Sequence, residues 1–238
     1  MEKIRLGRTD LMVTRLGFGG IPIRRMSNED AAIAIVKGCL DLGINFIDTA
    51  NDYFTSEERI GKAIAGRREG LILATKTKSR TREGVESHLK LSLKRLQTEF
   101  IDLYQFHAVD YASDLDSILA PDGPLAALRE AKEMGLIKHI GVTSHSLDIA
   151  IEAVKTDHFE TVMYPLNITK TEAVDELLPL AREHDVGYIV MKPLAGGRLD
   201  NVSLAFKYLF QFPDIVPIPG IGEVREMEEI IQVYEETR

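Results

Sequence analysis

The sequence predicts an α/β chain folded as a (β/α)8 TIM barrel with an N-terminal β-hairpin. Two observations point there. Eight short apolar runs alternate with eight longer helical patterns along the 238 residues. Three successive runs also end in chemically active side chains, and the C-terminal strand ends are the active face of such a barrel. Alternating strands and helices argue for a parallel sheet, and eight units close one. The rival, an open doubly wound sheet, usually carries G-x-G-x-x-G after its first strand. Leu16-Gly17-Phe18-Gly19-Gly20 lacks that spacing and reads as a tight turn at the barrel rim.

The hairpin is expected over residues 4–13, around the turn Gly7-Arg8-Thr9-Asp10. Strand one spans 14–19. Helix one, about 28–42, starts at a Ser27 or Asn28 cap and stops at Gly43. Strand two is 45–48 and helix two 56–65. Strand three is 71–76, and its helix, 82–96, sets Val85, Leu89, Leu93 and Leu96 on one face. Strand four is 101–107, and its helix, 123 or 124 to 134, stops at Gly135. The last four units pair 137–142 with 147–156, 161–165 with 172–184, 187–191 with 202–210, and 215–218 with 224–234. No Pro-rich, Gly/Ser-rich or low-complexity stretch interrupts the pattern, so residues 1–238 are expected to form one barrel domain.

Lys and Arg total 29 against 37 Asp and Glu, a net charge of −8. The basic residues form no stripe. Nucleic acid is therefore not an expected partner, because phosphate binding concentrates Lys and Arg. Met1-Glu2-Lys3-Ile4-Arg5 has no apolar core of a signal peptide. No run approaches the ~18 apolar residues of a membrane span. A cytoplasmic location and no membrane partner are expected. The single cysteine, Cys39, excludes an internal disulfide and an all-cysteine cluster. Its place in the pattern of helix one points to buried packing. Oligomeric state leaves no mark in these patterns.

The chemistry lies in three strand ends: Phe46-Ile47-Asp48, followed by Tyr53; Leu73-Ala74-Thr75-Lys76; and Tyr104-Gln105-Phe106-His107. Each polar residue alone has an ordinary reading, as a turn cap, a rim aromatic, a solvated strand end or a satisfied core histidine. Their arrival on consecutive strands two, three and four argues for one site. A phenol with an ordinary pKa near ~10 is a poor acid at neutral pH, and a nearby ammonium lowers it. Lys76 can supply that ammonium and Asp48 its counter-charge. His107 can offer an N–H to a substrate oxygen. Together these groups suit protonation of an oxygen during carbonyl reduction. Hydride must come from a cofactor, a nicotinamide being the simplest source.

In order along nearly the whole chain, these residues resemble the aldo-keto reductases. Asp48-Thr49-Ala50 followed by Tyr53 is similar to the family signature, Lys76 to its strand-three lysine and His107 to its strand-four histidine. Leu16-Gly17-Phe18-Gly19, Asp102-Leu103-Tyr104, Ile140-Gly141-Val142-Thr143-Ser144, Lys192-Pro193-Leu194-Ala195-Gly196-Gly197 and Ile218-Pro219-Gly220 also fit. The resemblance implies reduction of aldehydes or ketones with NADP(H) bound across the barrel mouth. Tyr53 would be the general acid, Lys76 and Asp48 would tune it, and His107 would orient a small-molecule carbonyl. Thr143, Ser144 and Met163 would stand at the nicotinamide carboxamide, and Met191 at the position that stacks on the ring. Lys192, Pro193, Leu194 and Gly196 would form the pyrophosphate-side loop. Gly19, Gly20 and Asp48 would lie close to the cofactor, and Gly220, Gly222, Arg225 and Glu229 would serve its adenosine end.

The chain also departs from the family pattern. Met163 replaces a glutamine of many members, and Met191 replaces a stacking aromatic. Asn167 is a candidate to supply a polar contact nearby. In the 2′-phosphate segment, 220–226, only Arg225 is cationic, between Glu223 and Glu226. Those carboxylates oppose a dianionic phosphate. NADP(H) is the family expectation, and this segment raises NAD(H) as the alternative. Amides opening helix eight can still receive a phosphate. The connection 197–205 is short and the chain stops soon after Tyr234, so an open site and broad substrate preference are expected. Some relatives with a Met-Lys-Pro-Leu-Ala-Gly-Gly style loop carry a C-terminal ferredoxin-like domain. One cysteine means that its clusters, and the domain, are not expected here.

Two other classes compete. One is a cofactor-binding barrel acting as a regulatory or partner subunit, similar to potassium-channel auxiliary relatives; retention of all four site residues favours an enzyme. The other is a metal-dependent hydrolase. His88, His107, His139, His145, His158 and His184 show no H-x-H or H-E-x-x-H spacing, so no metal is expected. His145, just after Thr143-Ser144, can line the mouth or stand at its rim.

Overall fold

The structure, a computed structural model, describes residues 1–237. β1 (Lys3–Arg5) pairs antiparallel with β2 (Met12–Thr14). Eight parallel strands follow: β3 (Phe18–Gly19), β4 (Phe46–Asp48), β5 (Ile72–Thr77), β6 (Ile101–Phe106), β7 (Ile137–Thr143), β8 (Thr161–Pro165), β9 (Gly187–Met191) and β10 (Ile215–Pro217). Each is hydrogen-bonded to the next. The helices are α1 (Glu29–Asp41), α2 (Ser56–Ile64), α3 (Arg82–Leu96), α4 (Ala112–Leu119), α5 (Pro124–Glu133), α6 (Leu147–Lys155), α7 (Leu177–Glu183), α8 (Val202–Leu209) and α9 (Val224–Glu236). The architecture is the (β/α)8 barrel with an N-terminal hairpin. Among the described residues no helix is long and apolar enough to cross a membrane.

The barrel closes between β3 and β10. Gly17 N–H donates to Pro217 O at 2.9 Å, Gly19 N–H donates to Pro219 O at 2.9 Å, and Gly19 bridges to Gly220. The glycines expected as a rim turn are therefore part of the closing seam. A Cβ on Gly19 would sit 2.7 Å from the Pro219 carbonyl oxygen, so only glycine lets the two strands meet there.

Strand alternation then decides which side chains point inward. Phe46, Ile72, Ala74 and Leu103 join Met163, Ile189, Val216 and Ile218 in the inner core, while Ile47, Leu73, Tyr104 and Phe106 pack outward against helices. Counting by two from those inner positions brings Asp48, Lys76, Gln105 and His107 to the inside. They lie at the C-terminal end of the barrel because each follows the apolar part of its strand.

Leu6 and Val13 of the hairpin join the same inner core and plug the opposite end. Asn45 fastens this plug. Its Oδ1 accepts from Thr14 N–H at 2.7 Å, its Nδ2 donates to Met12 O at 2.9 Å, and its own N–H donates to Thr14 Oγ1 at 3.2 Å. Asn45→Ala leaves a buried amide unpaired, which costs about 1–3 kcal/mol. The expected result is a matching loss in urea denaturation; an unchanged midpoint would show that the plug does not need this side chain.

Three elements differ from expectation. Strand one shrinks to Phe18–Gly19 because Thr14 belongs to the hairpin. The expected helix 172–184 is broken into a 3-10 turn, Glu172–Val174, and α7. Pro179 has no N–H to donate back to residue 175, so a continuous helix would lose that bond and clash there; in the first turn of α7 it is tolerated. The helix α4 was not expected. It buries Leu115 and Ile118, a three-residue spacing that the sequence does show.

Candidate active site

The inward residues line a cavity of about 610 Å³ at the C-terminal end of the barrel. Asp48, Tyr53, Lys76 and His107 all face it. Lys76 Nζ donates to Asp48 Oδ2 at 2.5 Å and to Thr49 O at 2.7 Å, and Gln105 Nε2 donates to Asp48 Oδ1 at 3.0 Å. Asp48 and Lys76 are 3% and 2% exposed, so the two charges stand or fall together. Burial opposes the charge on Lys76, yet Asp48 and Tyr53 outweigh it and raise the pKa, so the ammonium keeps its proton.

Tyr53 sits above this pair, with Lys76 Nζ 5.1 Å from its ring centroid and the His107 ring edge-on at 5.6 Å between centroids. Its phenol differs from expectation. Burial pushes its pKa up, and the downward pull of Lys76 does not overcome that. The reason is geometric: Lys76 is already neutralised by Asp48, and Asp48 and Asp52 both disfavour a phenolate. Tyr53 is thus held as a protonated phenol.

The loop carrying Tyr53 is clamped from below. Asn51 N–H donates to Lys76 O at 3.0 Å, its side chain donates to Ser92 Oγ at 3.2 Å, and Arg95 donates to Asn51 O at 3.1 Å. Arg95 in turn meets Glu57, which is buried and also accepts from Thr75 Oγ1 at 2.7 Å. A clamp fixed to both strand and helix limits the positions open to the phenol.

The expected cofactor residues divide. Gly19, Gly20, Thr143, Met163 and Met191 line the cavity, as do Lys192, Pro193, Leu194, Gly196 and Gly220. Ser144, Gly222, Arg225 and Glu229 are not part of its wall. The Ser144 hydroxyl donates instead to Asp110 Oδ1 at 3.2 Å and to Ser146 O at 3.0 Å. His145 does line the cavity, its Nδ1 3.3 Å from Asp110 Oδ2. Asn167 is buried and donates to Lys192 O at 3.1 Å, so it holds the 192–197 loop. That loop turns sharply, with left-handed Lys192 (φ 54), Ala195 (φ 50), Gly196 (φ 72) and Gly197 (φ 86). Non-glycine residues in this region mark a conformation imposed by surroundings.

Sequence reading missed Gln105 and Asp52, and named Glu226 only as a charge opposing a 2′-phosphate. Gln105 shares strand parity with Leu103 and His107, a signal that was available. Asp52 meets His107 and Lys78 across the mouth, and no local pattern encodes that. Glu226 lines the far end of the cavity, where its carboxylate accepts from Gly222 N–H at 2.7 Å and Glu223 N–H at 3.2 Å. With Glu223 it forms a capping box on α9. Among the described residues, no group of three or more His, Cys, Asp or Glu side chains is arranged to hold a metal ion.

A parallel barrel with an Asp–Lys pair, a tyrosine and a histidine at its mouth is the architecture of one class of oxidoreductases. The aldo/keto reductase family model matches residues 15–203. The oxidoreductase YqkF of Bacillus subtilis, itself uncharacterised, is 32% identical over 218 residues, covering 86% of this chain and 68% of that protein. YrpG, an uncharacterised oxidoreductase of the same organism, is 34% identical over 233 residues, covering 86% and 70%. The holo form of aldo-keto reductase AKR11C1 from Bacillus halodurans superposes with a TM-score of 0.87 at 28% identity, covering 99% of this chain and 91% of that one. The chain belongs to the aldo/keto reductase family, a family of oxidoreductases.

Proposed function

We propose that this chain, as one barrel unit spanning residues 1–238, reduces a small-molecule aldehyde or ketone to the alcohol with a nicotinamide cofactor. The observation that carries the reading is the convergence of Tyr53, His107 and the buried Asp48–Lys76 pair on one cavity. The cavity wall suits a dinucleotide. It runs from Tyr53 past the Met191 and Pro193 side chains to Gly220 and Glu226, and Gly196, with open space where a Cβ would stand, would let the ligand approach the backbone. Thr143, Met163 and Met191 would hold the nicotinamide end, and Lys192, Pro193, Leu194 and Gly196 the pyrophosphate. When bound, the nicotinamide supplies hydride to the carbonyl carbon. Tyr53 donates its phenolic proton to the carbonyl oxygen, and Lys76 stabilises the phenolate that results. Asp48 keeps Lys76 charged despite its burial.

At the adenosine end we propose NAD(H) over NADP(H), the family expectation. The amides of Gly222 and Glu223 are engaged by the chain's own Glu226, and Arg225 is exposed outside the cavity wall. A 2′-phosphate would have to displace one carboxylate and approach another. Purified protein is expected to consume NADH with an aromatic aldehyde such as nitrobenzaldehyde. In a fluorescence titration NADH should bind about tenfold or more tightly than NADPH, a difference of about 1.4 kcal/mol. Glu226→Gln should narrow that gap. Tighter binding of NADPH would overturn the cofactor choice; no turnover with either nucleotide would overturn the reductase reading.

A further inference from the structure

His107 Nδ1 lies 3.0 Å from Asp52 Oδ1, and the other Asp52 oxygen meets Lys78 Nζ at 2.8 Å. Asp52 is ionised. Burial would raise its pKa, but hydrogen bonds from His107 and Lys78 outweigh that and hold it well below the usual carboxylate range. An ionised carboxylate only accepts hydrogen bonds, so the shared proton sits on Nδ1. Nε2 is then the ring nitrogen left for the cavity. In neutral imidazole it carries a lone pair, and it becomes an N–H donor only in the imidazolium.

We infer that Asp52 is a positioning residue that fixes the tautomer of His107, so that His107 accepts a hydrogen bond at Nε2 when neutral and donates one to a substrate oxygen only when protonated. This refines the expectation that His107 simply offers an N–H. It rests on the reductase reading only for its consequence in turnover; the tautomer itself does not depend on it.

The groups around the ring set the balance. Asp48, Asp52 and Tyr53 come from β4 and the loop beyond it, and Lys76 and Lys78 from β5 and the residue after it. Arg80 donates to the His107 backbone carbonyl at 2.8 Å. Asp110, three residues on, is turned toward Ser144 and His145. Burial and the two lysines favour neutral His107, Asp52 opposes them, and the net pKa is lowered. The imidazolium therefore forms only as pH falls below the ordinary histidine range near ~6.5.

The test is a nitrogen-15 NMR titration of the free protein, which needs no turnover. In the wild type, neutral His107 should show a protonated Nδ1 and an unprotonated Nε2. Asp52→Asn should move the His107 midpoint to lower pH, because a counter-charge is lost. Lys78→Ala should move it to higher pH, because a like charge is lost. Opposite shifts from two members of one ion pair are not what a merely structural loop anchor would produce. An Nε2–H tautomer in the wild type, an unmoved midpoint in folded Asp52→Asn, or shifts of the same sign would overturn the proposal. With NADH and an aldehyde, the acid-favoured part of the reduction profile should follow the same two shifts. If the titration behaves as expected but Tyr53→Phe stays active, the reductase mechanism fails while the Asp52 assignment stands.

Discussion

Tyr53→Phe should lower carbonyl reduction by about 10²- to 10⁴-fold, the usual range for a positioned general acid, while NADH binding stays within about twofold. The substitution removes one oxygen and keeps the ring. The edge-on contact with His107 at 5.6 Å and the Lys76 ammonium 5.1 Å from the ring centroid are both preserved. Fold and cavity shape should therefore persist, and the loss should appear in kcat. The raised pKa of Tyr53, caused by burial first, adds a direction to this result. The phenol stays protonated through neutral pH, which suits proton donation. The reverse reaction, alcohol oxidation, needs the phenolate and should accelerate as pH climbs through and beyond the ordinary phenol value near ~10. A Tyr53→Phe variant within tenfold of wild-type kcat would remove the general-acid role.

Lys76→Met should destabilise the protein by about 3–5 kcal/mol, because it strands the Asp48 carboxylate in the barrel without its partner. Gln105 still donates to Asp48 Oδ1 at 3.0 Å, but one neutral amide does not balance a buried charge. The double variant Lys76→Met with Asp48→Asn removes both charges and should recover most of that loss. The coupling, read from urea denaturation of the two single variants and the double, is the quantity at issue. Both Lys76 variants should be nearly inactive, since neither can stabilise a phenolate. The pH dependence has a definite sign. Burial raises the Asp48 pKa even with Lys76 present, so without Lys76 its folded value lies above its unfolded value. The stability deficit of Lys76→Met should then shrink as pH falls and Asp48 takes a proton, and grow as pH rises. Strictly additive single-variant losses would show that the pair is not a coupled unit.

Much of this site was legible along the chain. Asp48, Lys76 and His107 end apolar runs, and strand parity sends them inward together with Phe46, Ile72 and Leu103. Tyr53 follows on the next loop. Thr143, Met163 and Met191, proposed to hold the nicotinamide end, line the same cavity from β7, β8 and β9 for the same reason. Gln105 was readable by that rule too. Arg225 and Glu229 were named from their segment alone and lie outside the cavity wall; charge in a segment does not tell which face of α9 it occupies.

The sequence by itself determined the order of strands and helices, the closed parallel architecture and the identity of the four groups at the mouth. Each follows from short-range facts: the period of apolar residues, helix stops, and which side chain ends a strand. Only the tertiary structure decided how those groups are charged and held. The closing seam joins Gly19 to Gly220. The α9 cap is placed against the cavity by the whole circuit of the barrel. The Asp52–His107 pair spans 55 residues. The sign of the Tyr53 shift depends on burial and on a lysine already neutralised by its neighbour. Such balances are sums over groups distant in the chain, and they exist only once the barrel has closed around them.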